Sequence, residues 1–350
     1  VAGGALRVDP AFAIANFFVA IDAAGSSFSP SSSLTVGGGG EFIVNRAHSM
    51  TCDVTVAAGG VVRHDDNTTN EANKLTLAIA GSLTVQAGGQ ISANGRGYAG
   101  NYGPGAPIPN PNRYRCGGSH GGMGSAGWET TSGIPGPTYG SVVAPTNLGS
   151  GGGQYMGVFC GGGGAVKLAV TGSTALDGVI SADGTNDLTT ANSGGGGGSV
   201  WLTAASLSGD GRIQADGGVG WADGPGGGGG RIAVVLTGSD NFGSVAMVAR
   251  GGVHPGIYDG AAGTVYRQAA NRRELFVDNG GSATNSFTWI PAQLGGGSNA
   301  LERTRVNLTN SAHVKLHSAA TVGNIFVYSD AYLTLGPYDL YVNAWRHDLG

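Results

Sequence analysis

GGGGAVKLAVTGSTALDGVISADG (residues 161–184) is followed by GGGGGSVWLTAASLSGDGRIQADGG (194–218) and GGGGGRIAVVLTGSDNFGSVAMVARGG (226–252), and the three stretches read as one unit repeated. Each opens on a glycine run. Each then places apolar residues at alternate positions, Val166/Leu168/Val170, Val200/Leu202/Ala204 and Ile232/Val234/Leu236, the period-two pattern of a strand with one buried face. Each closes on apolar-x-Ala-x-Gly: Ile180/Ala182/Gly184, Ile213/Ala215/Gly217 and Met247/Ala249/Gly251, recurring at intervals of about 33 residues. An earlier copy joins Leu75/Leu77/Ile79 to Ile91/Ala93/Gly95.

Ankyrin and tetratricopeptide repeats have a similar period, but they need helix surfaces rich in Ala, Leu, Glu and Lys, whereas Val, Thr, Ser and Gly dominate here. The pattern predicts an all-β chain wound as a parallel β-solenoid, with equivalent residues of successive coils about 4.8 Å apart and Ile stacked on Ile. Glycine runs then stack on glycine runs. Lacking Cβ, they can pair backbone to backbone as polyglycine-II-like segments, the alternative being flexible loops; recurrence in register favours packing.

Of 350 residues 69 are Gly, 11% are charged, 40% are hydrophobic and the net charge is -4. Few charges and many aliphatics argue against disorder, and the absence of a G-X-Y period excludes collagen. No basic cluster supports capture of nucleic acid, and no apolar run reaches the ~20 residues of a membrane-spanning helix. Residues 11–21 (AFAIANFFVAI) read as a buried strand or end cap. Residues 1–70 form N-terminal β coils, 71–265 the glycine-rich solenoid and 266–350 C-terminal β coils. Between the first and second repeat units lies a long glycine-rich insertion, about residues 98–154. The chain begins at Val1 rather than Met, so either a mature form or a segment of a longer polypeptide is expected, the segment being the favoured reading. At the other end, either more chain follows Gly350 or that end docks head-to-tail on a neighbouring copy.

With GGSHGG from Gly117, YGS from Tyr139, PTNLGSGGG from Pro145, GGGGAVKL from Gly161, LDGVISADG from Leu176 and GGGGGRIA from Gly226, the chain resembles a family of large glycine-rich extracellular proteins of bacterial surfaces. The resemblance covers about residues 70–265. It implies a secreted or surface-displayed β-solenoid, often a module of a longer chain, and no catalytic residues. The expected role is an extracellular structural or adhesive element that self-associates or meets a polysaccharide or other surface ligand.

Parallel β-helices also include polysaccharide lyases and glycosidases, which need clustered carboxylates on one outer face. Asp183 and Asp216 share one repeat position, held by Asn94 and Arg250 in the flanking units. Such a pair could serve acid/base chemistry or hold Ca²⁺; a solvated ladder with Arg250 as counter-charge is the simpler reading. In the insertion, His120, Trp128 and Tyr139, together with Tyr155 just beyond it, would form a binding platform over the glycine face, of a kind suited to a carbohydrate enzyme, a surface protein or a viral tail adhesin. Here a hydrogen-bonded loop histidine is the plainer reading of His120. Cys116 and Cys160 flank the insertion and make a candidate disulfide, while Cys52 falls on the apolar face of its strand. Neither a zinc motif nor any other resident cofactor is indicated.

Overall fold

The computed structural model describes residues 5–8, 11–22, 26–108, 116–127, 133–153, 160–186, 188, 193–221, 224–254, 258–290, 301–316, 318–328 and 330–342. Among these the chain is all-β with several parallel sheets, an arrangement compatible with a solenoid-like fold; one 3₁₀ turn, Leu301–Arg303, is its only helical element. None of the described helices is long and apolar enough to cross a membrane.

Three sheets carry most of the strands. A nine-stranded sheet runs from His48–Met50 through Leu75–Ile79, Ala165–Val170, Ser199–Ala204, Arg231–Leu236 and Thr264–Ala269 to Arg272–Asp278, Arg305–Thr309 and Asn324–Val327. A six-stranded sheet from Ala11–Ile14 to Ser206–Ser208 and a seven-stranded sheet from Phe18–Ile21 to Ala246–Val248 take the other strands of each successive coil. The apolar 11–21 stretch is therefore two strands rather than one, turned at Asn16 with φ of 58°.

Register follows the repeat. Val19, Phe42, Val62, Ile91, Ile180, Ile213 and Met247 pair in one continuous ladder. Leu77, Leu168, Leu202 and Val234 form another. These rows line one buried core from Ile14 to Ala269, so the strands before residue 70 share it with the glycine-rich units.

Among the described residues the one antiparallel pairing of the long sheet, Thr264–Ala269 with Arg272–Asp278, changes which face is covered. Before it, Ile232, Val234 and Val265 face the first core; Ala233, Tyr266, Leu275, Val277, Val306 and Leu308 line a second core on the opposite face. One geometric rule links the two changes. When strand direction reverses while coils keep stacking the same way, one hand of winding is preserved only if the interior moves to the other face of the sheet, and parallel crossovers hold one hand strongly.

Candidate functional site

The glycine runs are packed layers. Successive N–H groups of residues 194–198 donate to Pro225 O, Thr185 O, Ser150 O, Gly228 O and Ala182 O. Those of 226–230 donate to Tyr258 O, Gly218 O, Gly118 O, Ala261 O and Ala215 O. Each run thus turns in threes, toward the next coil, then an inner segment, then an outer one, as a threefold extended helix does and a two-sided strand does not. Density leaves no room for Cβ: one added at Gly198 would sit 1.9 Å from Gly164 O, and one at Gly263 1.8 Å from Gly230 O.

The outer layer is the insertion. Gly118, Ser150 and Met123 supply its acceptors, while Gly122 N donates to Gly229 O and Gly149 N to Gly163 O. His120 is fully buried, its Nδ1 2.8 Å from Gly197 O and 3.2 Å from Gly198 O, so Nδ1 carries the hydrogen and Nε2 the lone pair. Burial, reinforced by the nearby Arg231 guanidinium, pushes the His120 pKa down to about 3. Tyr139 lies against this ring at 4.7 Å and turns its hydroxyl inward to Leu148 O and Ser150 Oγ. Arg231, itself buried, donates from Nε to Tyr139 O at 2.7 Å and from Nη1 to Thr264 Oγ1 at 3.1 Å. Glu71, ion-paired to Lys74, accepts from Asn147 Nδ2 and Leu148 N, tying the insertion to the preceding coil.

His120, a hydrogen-bonded loop histidine, and Tyr139 therefore hold the insertion down instead of presenting a binding platform, because His120 Nδ1 and the Tyr139 hydroxyl are both engaged inside the protein. Trp128 and Tyr155 lie outside the described residues. Cys116 and Cys160 are not joined by a disulfide. Between them runs the backbone of Gly152 and Gly153, whose N–H groups donate to Cys160 O and Cys116 O respectively. The Cys116 thiol donates to Gly133 O at 2.8 Å, and burial pushes its pKa up to about 12.

The Asp183/Asp216 position does form a ladder, but its logic differs from a solvated charge row. Asn94 Oδ1 accepts from Asp183 N at 2.8 Å, Asp183 Oδ1 from Asp216 N at 2.8 Å, and Asp216 Oδ1 from Arg250 N at 2.7 Å. Each side chain caps the backbone of the next coil. The second oxygens are engaged too, Asp183 Oδ2 by Gln214 Nε2 and Asp216 Oδ2 by Arg212 at 3.6 Å. Arg212, not Arg250, is thus the ion-pair partner of Asp216, since it shares a strand face with Gln214 while Arg250 meets Asp216 through its N–H. Burial lifts the Asp183 pKa to about 6, and the Asp216 carboxylate adds to the rise against the Asp216 N–H and Gln214.

Above the ladder lies an open groove of about 570 Å³ across four coils, lined among others by Thr185, Asn186, Val219, Arg250 and Val253. Asn186 Oδ1 accepts from Val219 N at 2.7 Å. Glu71, Asn186 and Arg231 were not signalled by the repeat: each lies outside the apolar-x-Ala-x-Gly register or on a face that only the insertion covers. No group of three or more His, Cys, Asp or Glu able to hold a metal occurs among the described residues. The chain matches no family model, no curated protein and no solved structure.

Proposed function

We propose that the chain winds as a parallel β-solenoid and acts as an extracellular structural or adhesive surface element, alone or as a module of a longer surface protein. The observation carrying this reading is the use of the Asp183 and Asp216 oxygens. All four address neighbouring protein groups, three of them in the adjoining coil or its strand, so the carboxylates join coils instead of meeting a substrate. Packed glycine layers serve the same end, giving a rigid body whose shape depends little on side chains. Imaging of the purified full chain tests it: elongated rigid particles or head-to-tail fibres are expected, and a compact, freely rotating globule would overturn it.

A second reading rests on the same Asp183, whose pKa near 6 in a groove suits a general acid of a carbohydrate-active enzyme. Polysaccharide cleavage abolished by Asp183→Asn in a folded variant would establish that reading over the first.

A further inference from the structure

We infer that the groove above the Asn94–Asp183–Asp216–Arg250 ladder binds a neutral, linear polysaccharide of pyranose units laid along the stacking axis. The inference rests on the adhesive form of the proposal above and assigns it a ligand class. Shape comes first. At about 570 Å³ the groove is open along its length and spans four coils, room for roughly three sugar rings. Its floor repeats once per coil, about every 4.8 Å, a step comparable to the advance of one ring in an extended pyranose chain.

Chemistry narrows the occupant. Main-chain groups at the floor are already paired, Gly95 N to Asp183 O, Gly184 N to Asp216 O and Gly217 N to Arg250 O, so a peptide could not add as a strand. What remains for a ligand is side-chain: the Asn186 amide donors, the Thr185 hydroxyl and the Arg250 guanidinium, which meets no carboxylate within ion-pair distance among the described residues. Planar amide and guanidinium groups are suited to hydroxyl pairs. Arg212 neutralises Asp216 from beside the groove, which leaves Asp183 set against Arg250 along its lining, and that balance favours an uncharged chain. Trp221, 45% exposed, follows Val219 of the groove wall by two residues, and Gly220 N ties that segment to Val253 O, the equivalent position of the next coil on the same wall.

The test is calorimetric titration of the full chain with cello- and chito-oligosaccharides, from disaccharide to hexasaccharide, beside oligogalacturonate. Expected are affinities that rise with length and level off near the trisaccharide, with the charged oligomer weaker. Arg250→Ala removes the cation, and Asn186→Asp removes the amide donors while keeping the Val219 bond; each should weaken binding about fivefold to tenfold at an unchanged melting temperature. Absence of binding by the folded chain at every length would overturn the inference, as would undiminished binding in both variants or tighter binding of oligogalacturonate. None of those results touches the structural proposal, which fails separately on the shape of the particles.

Discussion

The glycine run 194–198 and the strand Ser199–Ala204 are continuous in sequence, yet they are held by opposite means. The strand pairs with Ala165–Val170 on one side and Arg231–Leu236 on the other, and Val200, Leu202 and Ala204 fill the core below it. Its stability comes from apolar burial, which tolerates exchange of one hydrophobic shape for another. The glycine run donates in three directions and fills its surroundings with backbone alone. No shape is available for exchange there, so the same substitution that trims the core should wreck the glycine layer.

That contrast can be broken in order of expected effect. Gly263→Ala places a methyl 1.8 Å from Gly230 O, and a loss of about 4 kcal/mol or more is expected in urea unfolding, or failure to fold. Gly238→Ala, whose Cβ would meet nothing closer than 3.2 Å, should cost within about 1 kcal/mol. Leu202→Ala in the core should cost about 3 kcal/mol and still fold; if it proved worse than Gly263→Ala, the comparison would be inverted.

Acid should attack the glycine side first. His64 accepts from Ala165 N beside Gly164, and burial holds its pKa down to about 4, while His120 caps Gly197 O and Gly198 O with its pKa near 3. Both folded values lie below the unfolded value near 6.5, so the unfolded state gains protons first, and stability is lost as pH falls from about 7 toward 4. Between pH 7 and 5 each histidine accounts for about 2 kcal/mol. Asp183 works the other way: its folded pKa of about 6 exceeds the unfolded value, so it adds about 1 kcal/mol over the same interval and Asp183→Asn should deepen the acid loss. Chemical unfolding across pH measures both. Asp216→Ala strands the Arg250 N–H and should cost about 1 kcal/mol.

Much of the coil was legible because it repeats: Ile91, Ile180, Ile213 and Met247 stack as their spacing requires. Glycine packing was legible as a possibility, from runs recurring in phase, but not its threefold order, which depends on the insertion supplying the third set of partners. For the site, sequence placed Asp183 and Asp216 together and missed what they do. Which hydrogen-bond partner a carboxylate takes is set by the next coil's backbone, a contact 33 residues away that carries no residue-type signal. His120 is the hydrogen-bonded loop histidine of its plainer reading, whereas Tyr139 misled for a related reason. A polar residue amid glycines reads as exposed until another layer is known to lie beneath it.

Amide hydrogen exchange resolved to residues 194–198 and 226–230 tests the central claim most directly. Packed, three-way-bonded layers predict exchange as slow as in Ser199–Ala204, opening only with the whole body. Exchange at the rate of an unprotected loop, while that strand stays protected, would contradict the account.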